Sequence, residues 1–246
     1  MELPQKKLAK SKKKKNKPVA VEESHTCDFC KKSFKQLTTI SSHACEKKRR
    51  WLCREDKQSR MGFIVYRKFF DMNFKSYTPR TFQDFIDSSY YSSFVRFGRH
   101  LMEIQALNPE QFIEFVIKAS VPMKNWEKEF VYEQFVRELN KKEPPLLALE
   151  RNILIMKQWE LDTNEPWCDF FRKVSTNTAS SLIRAGRLSP WVLYTSDSAM
   201  EMISRFTEEQ MSIIEQSVHP VFWERKFEEN KEDVQYIRNI LIECGI

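Results

Sequence analysis

A mostly α fold is predicted by three observations. From position 60 onward apolar residues recur at three- and four-residue intervals, the period of one helix face. Only four glycines punctuate 246 residues, and the alternating Val/Thr runs that mark strands are few. Four of the six cysteines crowd between positions 27 and 53, in a stretch too short and too charged to fold without a staple. The expected order is therefore a disordered lysine-rich arm over residues 1–24, a small cysteine-bearing module with a basic extension over 25–55, and an all-helical body over 56–246. A break at Pro144-Pro145 divides that body into two lobes near residues 143–146.

The arm comes first. Residues 6–17, KKLAKSKKKKNK, hold eight lysines and almost no apolar content, a composition that stays disordered when free. Lys12, Lys13, Lys14 and Lys15 form its densest run. Such a run binds phosphates by counterion release and reads no sequence. A solubility tail and a nuclear-import signal are its other readings.

The module reads C-D-F-C-KKSFKQLTTISS-H-A-C from Cys27 to Cys45. Two residues separate Cys27 from Cys30, the gap that lets two thiolates on a tight turn face one metal ion. Twelve more precede His43, the spacing at which a short helix returns an imidazole to that ion. Phe34 and Ile40 fall between them. In these positions the stretch resembles a two-Cys, two-His zinc finger, whose small core uses an aromatic and an aliphatic residue there. It predicts one structural Zn2+ ion, closed by four ligands and leaving no position for a catalytic water. The fourth ligand departs from that pattern, because position 47 is a lysine. Cys45 is the nearest candidate, two residues beyond His43. Residues two apart on a helix do not share a face, so the helix must end or unwind at Ala44. Cys53 and His25 are the alternatives, and ordinary buried thiols are the reading without a metal.

Lys47, Lys48, Arg49 and Arg50 follow at once, placed to meet backbone phosphates, with Trp51 behind them as a packing residue. In a groove-docked finger the base-reading places fall on Gln36, Thr39 and Ser42. None is an arginine able to make the bidentate guanine contact. One finger spans about three base pairs, so the module is expected to be a weak reader.

The helices of the body are expected in sequence. MGFIVYRKFFDMN carries Phe63, Ile64, Tyr66, Phe69 and Phe70; TPRTFQDFIDSSYYSSFVRFGRHLMEIQ starts at a Thr-Pro signal. NPEQFIEFVIKAS opens with Asn108 as N-cap and Pro109 in the first turn. WEKEFVYEQFVRELNKK, LLALERNILIMKQWELD, EPWCDFFRKV, TASSLIRAG, TEEQMSIIEQSV and VHPVFWERKFEENKEDVQYIRNILIECG complete the set. Phenylalanines at this spacing read as core. Thr178–Ala185, Gly186 and the Ser189-Pro190 start trace a helix-turn-helix outline. Trp191, Val192 and Leu193 make its second helix too apolar to enter a groove, so packing is the expected role. His100 and His219 have no catalytic partner at a recognised spacing, and no phosphate loop, nucleophile elbow or paired-carboxylate motif appears. The chain is expected not to be an enzyme.

Charge separates the parts. Residues 1–60 hold 18 Lys or Arg against 7 Asp or Glu, a net +11, within a chain of net +7, so the remainder is −4. That asymmetry points to a nucleic-acid-binding arm on an ordinary globular part. No membrane span or secretory signal is expected, and the cysteines form no spaced disulfide framework, which fits a reducing, intracellular setting. The order C-x-x-C…HACEKKRRW, then DFIDSSYYSSFVRFGRH, then GRLSPWVLYTSDSA, resembles a finger-plus-helical-body family of large tailed bacteriophages, from about residue 25 to the C-terminus. The resemblance implies host cytoplasm, where a eukaryotic source would point to the nucleus. The function expected is a nucleic-acid-binding accessory protein, for DNA rather than RNA, whose body recruits a protein partner. The competing reading is a protein-interaction or virion-assembly factor whose finger docks onto protein.

Overall fold

The computed structural model describes residues 24–74 and 78–246, and its contacts divide the chain into two compact units between Leu52 and Cys53. The first unit begins with strand β1 (His25–Thr26) paired antiparallel to β2 (Ser33–Phe34), His25 opposite Phe34. The connecting turn is closed by the Lys31 amide donating to the Cys27 carbonyl and the Cys27 amide donating to Lys32. Lys31 takes the left-handed conformation that such a turn requires, φ 59°. Two short helices follow, α1 (Leu37–Ser42) and α2 (Glu46–Leu52). Among the described residues of this unit Cys27 alone is buried.

The second unit is helical throughout its described residues. After a 3-10 turn at Cys53–Glu55 come α3 (Lys57–Asn73), α4 (Phe82–Asp87), α5 (Tyr91–Glu103), α6 (Pro109–Lys118) and α7 (Glu129–Lys142). These enclose one apolar cluster built around Val65, Phe85, Phe94, Phe97, Phe112 and Trp126. Then follow α8 (Pro145–Thr163), α9 (Phe170–Lys173), α10 (Thr176–Arg184), α11 (Pro190–Leu193), α12 (Asp197–Ser204), α13 (Glu208–Ile214), α14 (Pro220–Glu229) and α15 (Lys231–Glu243). They enclose a second cluster around Met156, Phe170, Ile183, Trp191, Met202 and Leu241. Of the residues expected as core, Tyr66, Phe85, Phe94, Phe97, Phe112 and Phe135 are buried, and Phe63, Phe69 and Phe70 pack against them partly buried. Ile64, Phe130 and Phe222 are exposed. No helix among the described residues is long and apolar enough to cross a membrane.

Several boundaries differ from the expected ones, each for a local reason. The helix expected from the Thr-Pro signal starts later, after Thr81, whose hydroxyl and amide exchange hydrogen bonds with Asp84 in a capping box. It then breaks at Ser88, whose hydroxyl accepts from the Tyr90 amide, a local turn bond that competes with the helix. Asn108 precedes Pro109 as expected, but it sits at φ 43° and its side chain caps nothing. The last expected helix is two, parted at Asn230, whose side-chain amide donates back to the Lys226 carbonyl. Helix α12 lies where none was expected, started by the Ser196 hydroxyl accepting from Ala199. All four residues of α11 are buried, so the helix-turn-helix outline is a packed hairpin.

Two features tie the body together. Helices α3 and α5 touch backbone to backbone: a Cβ on Gly98 would lie 2.6 Å from the Gly62 nitrogen, and one on Gly62 2.8 Å from the Val95 Cα. Between the two apolar clusters, the Tyr132 hydroxyl accepts from the Leu107 amide at 3.0 Å and donates to the Ala185 carbonyl at 3.3 Å. Arg184 pairs with Glu129 and Glu133 on α7, and Arg151 binds Glu143 and the Gly186 and Arg187 carbonyls.

Candidate metal centre

The centre grows from the hairpin of the first unit. Cys27 follows β1 and Cys30 lies in the turn, so the strand pairing brings both sulfurs to one end of the hairpin. Helix α1 returns the chain. It ends at Ser42, and His43 is already extended (φ −68°, ψ 114°). The imidazole is therefore not carried on a helix as the spacing suggested; unwinding starts one residue before Ala44. Extended backbone at His43 removes the helical mismatch between positions two apart. Cys45 then stands immediately before α2, and its carbonyl accepts from the Arg49 amide at 3.0 Å. The third ligand closes one helix and the fourth opens the next.

The four ligand atoms lie within 4.8 Å of one another. The Cys30 sulfur is 3.2 Å from His43 Nε2, and the Cys27 and Cys45 sulfurs are 4.0 Å apart. A tetrahedral ion with thiolate bonds near 2.3 Å separates its ligands by about 3.7 Å, so this spacing can hold a metal ion. Backbone amides face the sulfurs. The Lys48 amide donates to Cys45 Sγ at 3.4 Å. Cys27 accepts from the amides of Cys30 and Phe29, which hold its thiol below the ordinary range against the opposing effect of burial. For Cys30 the Lys32 amide acts in the same lowering sense, but burial and the neighbouring Cys27 and Cys45 sulfurs outweigh it and push that thiol up. A cation between the sulfurs replaces this mutual opposition with a shared attraction. Amide donors of this kind orient and stabilise thiolate ligands. The ring of Phe34 sits 4.7 Å from that of His43 and fixes its plane.

Neither alternative ligand joins the group. His25 is held in the strand pairing. Cys53 is exposed, and desolvation together with the adjacent Asp56 pushes its thiol up, away from the thiolate a metal needs. Cys168 and Cys244 pack against the second apolar cluster of the body.

The expected nucleic-acid contacts are distributed unevenly. Lys12, Lys13, Lys14 and Lys15 lie outside the described residues. Gln36, Thr39 and Ser42 are exposed, and the Ser42 hydroxyl is turned back onto the Thr38 and Thr39 carbonyls. Of the basic cluster on α2, Arg49 is exposed, Lys48 reaches the His43 carbonyl at 3.3 Å and Arg50 pairs with Glu46. Trp51 packs at 6.1 Å from Phe29, inside the metal-bearing unit. The N-cap role of Cys45 was not legible in the sequence, although Glu46 in the first turn of α2 and the basic residues after it are the pattern of a helix start.

Fold and site together define a helical protein with a small N-terminal unit whose three cysteines and one histidine can bind a metal ion. Comparison with family models, curated proteins and solved structures gives no match to the chain.

Proposed function

We propose that the first unit is a zinc finger that grips nucleic-acid phosphates, DNA rather than RNA, in a non-enzymatic accessory protein whose helical body recruits a protein partner. The observation that carries this reading is the position of Cys45. The fourth ligand is also the first residue ahead of α2, the helix that bears Lys47, Lys48, Arg49 and Arg50. Binding one ion fixes the start of the basic helix. Three thiolates and an imidazole are a soft, closed donor set that suits Zn2+ and leaves no site for water. Lys12 to Lys15 would add salt-sensitive affinity without sequence reading. The resemblance to the finger-plus-helical-body family of large tailed bacteriophages supports a phage-encoded protein acting in reducing host cytoplasm.

A second reading, a protein-interaction or virion-assembly factor, is favoured by the dimensions of α1. Six residues make a helix only about 9 Å long, and its reading face, Gln36, Thr39 and Ser42, lacks a guanine-binding arginine. A salt titration of the full chain on duplex and single-stranded DNA separates the two. The first reading expects affinity that falls steeply with salt, with a slope reduced when Lys47, Lys48, Arg49 and Arg50 are changed to Gln. Binding that is absent, or indifferent to both salt and those changes, leaves the second.

A further inference from the structure

We propose that α8 pairs two copies of this chain across a two-fold axis, antiparallel, with Leu154 at the axis. Helix α8 is apolar on opposite sides. Its inner side, Ala148, Leu149, Asn152 and Met156, is buried. On the outer side Leu147, Leu154 and Leu161 are 55 %, 67 % and 74 % exposed. Their spacing is seven residues, the repeat at which one helix meets another along a seam. A helix apolar on both sides can seat a second partner surface on its outer side.

The charges on that outer side name the partner. Between the leucines lie Glu150 and Lys157, both exposed. The Lys157 ammonium is also 5.8 Å from the Trp167 ring centre, and Gln158 is exposed beside them. The charged and apolar positions of the face therefore read Leu, Glu, Leu, Lys, Leu. An antiparallel copy is its own complement. Leu147 meets the partner's Leu161, Leu154 meets the partner's Leu154, and Glu150 faces the partner's Lys157 twice over, once on each side of the axis. A parallel copy would set like charges at the same height. Isologous contact of one patch with itself is the commonest form of closed assembly. The inference gives the proposed protein partner an identity, and it is independent of the nucleic-acid reading, since α8 carries none of the basic cluster.

Sedimentation equilibrium of the full chain tests it. The expected result is a monomer–dimer equilibrium in which Leu154→Glu weakens dimerisation by at least about tenfold, with helical content unchanged because the side chain is exposed. Glu150→Lys and Lys157→Glu should each weaken the dimer, and the double exchange should restore it. A chain that is monomeric at all concentrations, or a dimer insensitive to Leu154→Glu, would overturn the proposal. A dimer weakened by the double exchange as much as by the single ones would overturn the antiparallel register. Salt-dependent DNA binding, measured on Leu154→Glu, reports separately on the finger.

Discussion

The residues that define the centre differ in what each contributes. Cys27 and Cys30 are presented by a two-strand hairpin, His43 by the extended end of α1, and Cys45 by the turn that starts α2. Loss of Cys45 therefore removes a ligand and the sulfur that accepts from the Lys48 amide. Cys45→Ser should lower metal affinity at least about tenfold, while Cys53→Ser leaves it unchanged, as read by competition with a chromogenic chelator. Three ligand positions were legible because C-x-x-C and the distance to the histidine are set by chain geometry. The fourth needed a backbone state, extended at His43, that no side chain in SSHAC announces. Its consequence, a cysteine sulfur acting as helix N-cap, was legible only in the structure.

At the scale of elements, most of the helices follow from their apolar period and their caps. Thr81 with Asp84 and Thr207 with Gln210 are capping boxes, and Pro109, Pro145, Pro190 and Pro220 sit in first turns. Helix α12 was missed because its eight residues bury only Ser198, Ala199 and Met202, too short a run to show a period. One close contact of the body was also hidden. A glycine inside a helix usually lowers its stability, yet Gly62 and Gly98 let α3 and α5 meet without intervening side chains. Gly98→Ala should cost about 1–3 kcal/mol or more of stability in denaturant unfolding, with Gly62 unchanged, because the new methyl meets backbone that has no room to yield.

Helices α3 and α6 are joined by charge. Lys68 reaches Glu114 at 2.6 Å, and Lys118 reaches it at 2.8 Å. Hydrogen bonds from Lys118 and Lys68, in that order, hold the Glu114 carboxyl at about 2 instead of the ordinary 4.5. A carboxylate depressed in the folded state stabilises it above the unfolded value and loses that contribution as pH falls. The stability gap between the native chain and Glu114→Gln should therefore be full above pH 4.5 and close progressively toward pH 2. Urea midpoints across that range measure it. The pair is partly solvated, so the effect is small and screened by salt.

The whole molecule joins two units stabilised by different means. The body holds two apolar clusters linked by the Tyr132 and Arg184 bonds. The N-terminal unit, by contrast, buries one described residue, Cys27, and that residue is one of the four that can hold a metal ion. Metal binding and folding are then expected to be one event for the small unit. Chelation should abolish amide-exchange protection over residues 25–52 and leave the helices of the body protected. Zinc K-edge absorption on the full chain reads out whether Cys27, Cys30, His43 and Cys45 hold one ion. One ion per chain is expected, with three sulfurs at about 2.3 Å and one nitrogen at about 2.0 Å. A chain that retains no ion, or one whose ion has two sulfurs and is unaltered by Cys45→Ser, would contradict it.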